Sequence, residues 1–118
     1  MRIRYWGLAL MGLSGLAGCH SYHIETTVEN RTGSAIRLLE VDYPSASFGS
    51  DGLAAGAVMH YRIQVQGNGP LKIQYTGQDG KQPEMDGPTL AEGQEGRLDI
   101  VLLPDGKAQF NPQLRPTP

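Results

Sequence analysis

Cysteine is almost absent from this sequence of 118 residues: Cys19 is the only one, so no disulfide can form within the chain. Aromatic residues make up only 7%, and Trp6 is the single tryptophan. No apolar run reaches the roughly 20 residues that a transmembrane helix needs. The formal charge is -2, and no basic cluster is available for nucleic acid. These absences exclude a disulfide-stabilised scaffold, a spanning helix and a nucleic-acid-binding protein.

Glycine and proline are abundant, at 16 and 8 residues, and neither recurs with a fixed period. Glycine destabilises helices and proline breaks them, so long helices are disfavoured. The length fits one domain with a single hydrophobic core. Short strands joined by turns suit this composition best.

The first residues have the layout of a secretory signal. Arg2 and Arg4 provide a positively charged start, and an apolar stretch follows from Tyr5 to Leu16. This stretch is shorter than the roughly 20 residues that cross a bilayer. We therefore expect the segment to direct export and to be removed.

The apolar stretch ends in Leu16-Ala17-Gly18-Cys19, which resembles the lipobox of bacterial lipoproteins. The resemblance implies that the Cys19 sulfur carries a diacylglyceryl group, that a peptidase cleaves between Gly18 and Cys19, and that the new amino terminus is usually acylated. Each buried methylene contributes about 0.8 kcal/mol, so two or three acyl chains give a lasting membrane anchor. The alternative is an ordinary secretory signal cleaved nearby, with Cys19 as a free thiol or as one half of a disulfide.

His20 follows the cysteine at the position where inner-membrane retention signals of Gram-negative bacteria usually carry aspartate. The predicted localisation is therefore the bacterial cell envelope, lipid-anchored, with the outer membrane favoured. The expected partners are membrane lipid, through acylated Cys19, and an envelope protein or glycan.

The residues after the signal alternate in polarity as β-strands do. A first strand begins at Ile24 and ends in an Asn30-Gly33 turn, and residues 35–43 form a second strand with a bulge near Leu38 and Leu39. Residues 44–56 lack periodicity and predict a long connection in which Phe48 and Leu53 point inward. Two well-alternating segments, 59–66 and 71–76, predict a hairpin.

The remaining segments predict one edge strand, one central strand and one short final strand. The Asp79-Gly80 step predicts a tight turn, and residues 82–96 predict at most a short irregular edge strand. Residues 98–103 predict a central strand covered on both faces, and residues 107–111 a short final strand. The predicted fold is an antiparallel, immunoglobulin-like β-sandwich of six or seven strands. The chain then divides into a signal peptide (1–18), a lipidated tether (19–23), the β-sandwich (24–111) and a proline-rich disordered tail (112–118).

Two regions are candidates for an interaction surface. If segments 59–66 and 71–76 pair, their polar side chains form one hydrophilic patch able to bind a glycan or a protein edge. The segment 43–49 is the other candidate, because it is long and contains two aromatic residues. The predicted surface residues are Tyr43, Phe48, His60, Arg62, Gln64, Lys72 and Gln74.

The sequence does not favour catalysis or a cofactor. Histidine and serine, such as His60 with Ser45, Ser47 or Ser50, occur without the G-x-S-x-G pattern of a nucleophile elbow. We therefore expect a non-enzymatic, lipid-anchored interaction or accessory module. The alternative is a periplasmic metal-binding protein that uses the three histidines, with Met59 or Met85, since imidazole is a common ligand of zinc and copper. Its ligands would be His20, His23 and His60.

Overall fold

The computed structural model describes residues 22–116, which form eight β-strands and one short 3-10 turn. The predicted signal segment 1–18, with Cys19 and His20, lies outside these residues. No helix within the described range is long and apolar enough to cross a membrane. The elements are β1 (Ile24–Asn30), β2 (Ile36–Tyr43), β3 (Ala46–Leu53), β4 (Val58–Ile63), β5 (Gly69–Thr76), β6 (Glu84–Leu90), β7 (Glu95–Leu103), the turn η1 (Pro104–Gly106) and β8 (Lys107–Arg115).

The strands form two four-stranded sheets that pack face to face. The first sheet has the order β4-β1-β7-β8 and the second has the order β3-β2-β5-β6. All pairs are antiparallel except β1 with β7, which are parallel. The predicted β-sandwich is confirmed, with eight strands instead of six or seven. β1 and β2 lie in different sheets, whereas the first two strands of a constant immunoglobulin domain lie in the same sheet. The resemblance to an immunoglobulin domain is therefore one of architecture and not of strand order.

One hydrophobic core fills the space between the sheets. Alternate residues of each inner strand point into it, as the burial pattern of β1 illustrates. Each fully buried aliphatic side chain stabilises the fold by roughly 1.5 to 3 kcal/mol. The buried apolar residues are Ile24, Val28, Ile36, Leu39, Val41, Phe48, Ile63, Val65, Leu71, Ile73, Tyr75, Leu90, Leu98, Ile100 and Leu102.

The predicted bulge in β2 is confirmed. The register between β2 and β5 shifts between Arg37 and Glu40, and Leu38 has a φ of 53°. The extra residue turns Leu38 outward, with 60% exposure, while Leu39 is 3% exposed. Because of the bulge, Ile36 before it and Leu39 and Val41 after it all point into the same core, although their spacing does not fit one regular strand.

The predicted long connection over residues 44–56 is wrong, because β3 occupies most of it. β3 pairs with β2 in a hairpin. A Cβ atom at Gly49 would overlap the carbonyl oxygen of Leu39, so this strand requires glycine where the two backbones approach. The small residues that permit this close approach do not alternate between apolar and polar, so the sequence pattern does not reveal the strand. Phe48 is buried as predicted, and Leu53 is half-buried.

The predicted hairpin between segments 59–66 and 71–76 is also wrong. β4 ends at Ile63 and pairs with β1 in the first sheet, while β5 lies in the second sheet. Residues 64–68 cross between the sheets, and Val65 is buried on the way at 2% exposure. The Asp79-Gly80 turn does form a hairpin, between β5 and β6, and the Gly77 amide donates to the Lys81 carbonyl at 2.8 Å.

The two C-terminal predictions need correction as well. β7 is central in the first sheet, but only one of its faces is buried, and Val101 and Leu103 are half-exposed. β8 continues to Arg115, beyond the predicted boundary at residue 111, so Pro112 belongs to the sheet and not to a disordered tail. An edge strand tolerates proline because its missing amide faces away from the ladder.

Candidate functional site

The sandwich has two ends. The described chain enters β1 at the proximal end, where the Gly96 amide donates to the His23 carbonyl at 3.2 Å. β1 then runs to the distal end, where it leaves through the turn 31–35. The turns after β3, β5 and β7 return the chain at the same distal end. The distal end is therefore formed by four turns, at residues 31–35, 54–57, 77–83 and 104–106.

A cleft of about 690 Å³ opens at the distal end between three of these turns. Its walls combine hydroxyl, amide and charged groups with the flat apolar surfaces of proline and tyrosine. This composition suits recognition of a polar ligand by hydrogen bonding and ring contact. The lining includes Thr32, Ser34, Tyr75, Gln78, Asp79, Lys81, Gln82, Pro83, Pro104 and Asp105.

Asn30, the last residue of β1, holds two of the distal turns together, one of which lines the cleft. It is completely buried, and its Nδ2 donates to the carbonyls of Ser34 at 2.8 Å, Leu53 at 3.0 Å and Ala54 at 3.2 Å. Its Oδ1 accepts from the amide of Thr32 at 3.0 Å and from the Thr32 hydroxyl at 2.7 Å. A single side chain thus joins the turn 31–35 to the turn 54–57. The sequence predicts only a turn at Asn30, because a role that joins two turns distant in sequence leaves no local signal.

Tyr75 forms the inner wall of the cleft and is 5% exposed. Burial, followed by the nearby charge of Asp79, raises the pKa of Tyr75, so the phenol stays neutral. The Asp79 Oδ1 accepts from the Lys81 amide at 3.0 Å and holds the 77–83 turn, whose Lys81 side chain is exposed. The wall therefore offers a neutral hydroxyl beside a carboxylate and an ammonium group.

The third wall is the turn between β7 and β8. Asp105 there has a φ of 66°, which a residue with a side chain seldom adopts. Backbone of this kind is often found at binding sites, where the surrounding structure holds it in place. Here Gly106 lies so close to Pro83 that a Cβ atom would sit 3.0 Å from the proline ring, so the two turns are in contact.

The predicted polar patch does not form, because its residues lie on opposite faces of the sandwich. His60 and Arg62 are on the outer face of the first sheet, beside Thr27 and Glu25. Lys72 and Gln74 are on the outer face of the second sheet. Gln64 lies beyond the end of β4, near the proximal end.

Tyr43 and Phe48 instead form an aromatic cluster with Tyr61, which is not among the predicted surface residues. The Phe48 and Tyr61 rings stack with centroids 4.6 Å apart and an angle of 7° between their planes. Tyr43 lies 6.3 Å from Phe48 and is tilted by 49°. The pKa of Tyr43 is raised by burial and then by Tyr61. Because Phe48 belongs to the second sheet and Tyr61 to the first, these rings close the side of the sandwich between β3 and β4.

Charged side chains are arranged differently on the outer faces of the two sheets. Four ion pairs of the described chain involve acidic residues with the outward parity of the first sheet: Arg31–Glu29, Arg62–Glu25, Arg97–Asp99 and Arg115–Glu95. The pKa of Asp99 is lowered, chiefly because the Thr27 hydroxyl donates to it at 2.6 Å and secondly through Arg97. On the second sheet, a hydrogen bond and the charge of Asp42 raise the pKa of Glu40.

Two of the three histidines of the alternative metal hypothesis, His23 and His60, are described by the structure and are not brought together, whereas His20 lies outside the described residues. His23 precedes β1 at the proximal end, and His60 pairs with Thr27, four residues further along. At about 3.3 Å per residue this is a separation of roughly 13 Å along the sheet, so these two side chains do not share one ion. Within residues 22–116, no group of three or more histidine, cysteine or acidic side chains is placed to hold a metal.

Comparisons with known proteins give information on the fold and none on the function. No family model matches the chain, and no curated protein matches it. Among solved structures, an NMR structure of a protein from Eubacterium rectale is similar, with 13% sequence identity and a TM-score of 0.55. The similarity covers 75% of this chain and 86% of that one. At this identity the likeness shows a shared β-sandwich architecture and carries no function.

Proposed function

We propose that this protein is a non-enzymatic, lipid-anchored module of the bacterial cell envelope, and that its distal cleft binds a polar envelope component, a protein or a glycan. The anchor is the Cys19 sulfur of the lipobox-like sequence, exposed by cleavage after Gly18, and His20 favours the outer membrane. The observation that carries the proposal is the placement of the cleft relative to the point where the chain enters the sandwich.

The geometry links the anchor to the cleft. Residues 20–23 separate the lipid site, Cys19, from β1, and the five residue steps from Cys19 to Ile24 span about 17 Å when fully extended. The proximal end would therefore stay next to the membrane. β1 spans roughly 23 Å at 3.3 Å per residue. A short tether thus directs the cleft away from the bilayer, toward partners in the adjoining compartment.

The chemistry of the cleft suits the binding of a polar ligand. Burial and then the charge of Asp79 raise the pKa of Tyr75, so its hydroxyl stays protonated. Hydrogen-bond donors and acceptors beside Pro83 and Pro104 match the amide groups or hydroxyls of a peptide or sugar.

Site-specific photo-crosslinking in living cells tests the proposal. A photoreactive amino acid replaces Gln78, exposed at the cleft, or in a matched control Gln109, exposed on the outer face of β8. We expect adducts with an envelope component from position 78, and we expect them to disappear when Asp79→Asn and Lys81→Ala are added. Adducts from position 109 alone would show that the cleft is not the binding site.

A further inference from the structure

The four edge strands of the two sheets differ in how they are protected. Unpaired edges expose rows of backbone amide and carbonyl groups that can pair with another chain. β6 contains Pro88 beside a register shift, and β8 contains Pro112, and both features obstruct further pairing. β3 and β4, which lie on the same side of the sandwich, contain no proline. The β3 and β4 edges therefore lack this protection against further strand pairing.

Of these two edges, β4 is the better template for another strand. β3 is rich in small residues, including Gly49 and Gly52, and presents little side-chain surface. β4 carries Val58 at 54% and Tyr61 at 45% exposure, two of the three large exposed hydrophobic residues in the described chain. An added strand would bury both of them.

The hydrogen-bond pattern shows which groups of β4 are free. The Asn30 amide donates to the Ala57 carbonyl at 3.0 Å, and hydrogen-bonded pairs alternate along an antiparallel ladder. In this register the inward residues, such as Met59 and Tyr61, bond to β1. The backbone amides and carbonyls of Val58, His60 and Arg62 consequently face away from the sheet. These three residues can therefore form backbone hydrogen bonds with an added strand.

The charge of this edge indicates the partner. His60 and Arg62 are exposed on it, and β4 contains no carboxylate. Arg62 pairs with Glu25 at 2.8 Å, but 64% of its side chain is accessible, so it can reach a second acidic group. We propose that β4 binds an extended, acidic segment of a partner protein, which adds a fifth strand to the first sheet with apolar residues beside Tyr61.

A second copy of this chain fits the edge poorly, a step that rests on the anchoring proposed above. Two β4 strands paired antiparallel would place one sandwich upside down relative to the other. The inverted copy would carry its Cys19 at the far end, about 23 Å from the bilayer side by the length of β1. With β1 upright on the membrane, as proposed above, the five residues of the tether span only about 17 Å, so the anchor of the inverted copy would not reach the bilayer.

The test uses the natural neighbour of β4 as a ligand. A fluorescein-labelled peptide with the β1 sequence IETTVEN places glutamates on the face of Arg62 and apolar residues on the opposite face. Fluorescence anisotropy measures its binding to the full chain in detergent micelles. We expect saturable binding that weakens at least about tenfold in His60→Pro, since that variant loses an outward donor and blocks the edge, and less than about threefold in His60→Ala.

Controls keep the result interpretable if His60→Pro destabilises the fold. With the unaltered chain, a peptide N-methylated at alternate residues should not bind, and replacing both glutamates by lysine should weaken binding. Equal binding of all three peptides, or of the His60→Pro and His60→Ala chains, would overturn the proposal. Sedimentation of the unlabelled chain completes the test, since a dimer that His60→Pro dissociates would identify a second copy as the occupant. Peptide binding is independent of acylation, so failure of the anchor would leave this result standing.

Discussion

Replacing Asn30 tests how the distal cleft is held together. Asn30→Ala removes the donors to the carbonyls of Ser34, Leu53 and Ala54 and the acceptor for Thr32. The amide has two hydrogens and two lone pairs, so about four bonds are lost, each worth about 1 kcal/mol net. Carbonyls left without a donor in a buried site raise the cost further. We expect a loss of at least about 3 kcal/mol in the free energy of unfolding.

Thermal unfolding followed by circular dichroism measures this loss. For a domain of this size, 3 kcal/mol corresponds to a fall of at least about 12 °C in the melting temperature. Ser34→Ala is the matched control, because it keeps the carbonyl that Asn30 uses and its side chain is exposed, and it should melt within about 2 °C of the original chain. A similarly small change in Asn30→Ala would refute the role assigned to this side chain.

Asn30→Asp adds a pH signature to the same test. At neutral pH a carboxylate would face three carbonyl oxygens, whereas its protonated form regains one donor. Carbonyl oxygens and burial should raise the pKa of the new carboxyl in the folded state. A raised carboxyl pKa favours folding at low pH, so the deficit relative to the original chain should shrink on acidification. A deficit independent of pH would contradict the hydrogen-bond assignment.

Three further predictions concern the sheets. Glu40→Gln should raise the melting temperature at pH 7, because the hydrogen bond with Asp42 and then the charge of Asp42 raise the pKa of Glu40, and the gain should vanish once acid protonates the carboxyls; a loss at pH 7 would contradict it. Thr27→Val should destabilise at pH 7, because the hydroxyl lowers the pKa of Asp99, and the difference should fade as acid protonates Asp99 below about pH 3.9; an undiminished difference would argue against that bond. Gly49→Ala should destabilise the chain by roughly 1 to 3 kcal/mol in urea unfolding, since its Cβ would overlap a backbone carbonyl oxygen, and unchanged stability would contradict the close approach of β2 and β3.

Strands with regular alternation could be predicted from the sequence, and so could the bulge at Leu38 and the turn at Asp79. These features depend on local polarity and turn chemistry, which neighbouring residues determine. β3 escaped prediction because Gly49 and its small neighbours serve close backbone approach and leave no periodic pattern. The local pattern distinguishes poorly between a long connection and a strand of this composition.

Pairing across the sheets was harder to predict than the strands themselves. Segments adjacent in sequence often form hairpins, yet β4 pairs with β1 and β5 with β2. The partner of a strand depends on burial such as that of Val65 between the sheets, a tertiary effect. The predicted patch of His60 with Lys72 failed for this reason. The distal cleft and the role of Asn30 could not be found either, since both arise where four distant turns meet.

Acylation of Cys19 is the claim on which the orientation of the cleft depends. Cells expressing either the original chain or Cys19→Ala are fed an alkyne-bearing fatty acid, and intact-mass spectrometry is performed on the membrane fraction. The account predicts a labelled chain that begins at Cys19 and carries acyl groups, and a Cys19→Ala variant without label. Equal labelling of the variant, or a mature chain that begins beyond residue 19 and carries no lipid, would contradict it.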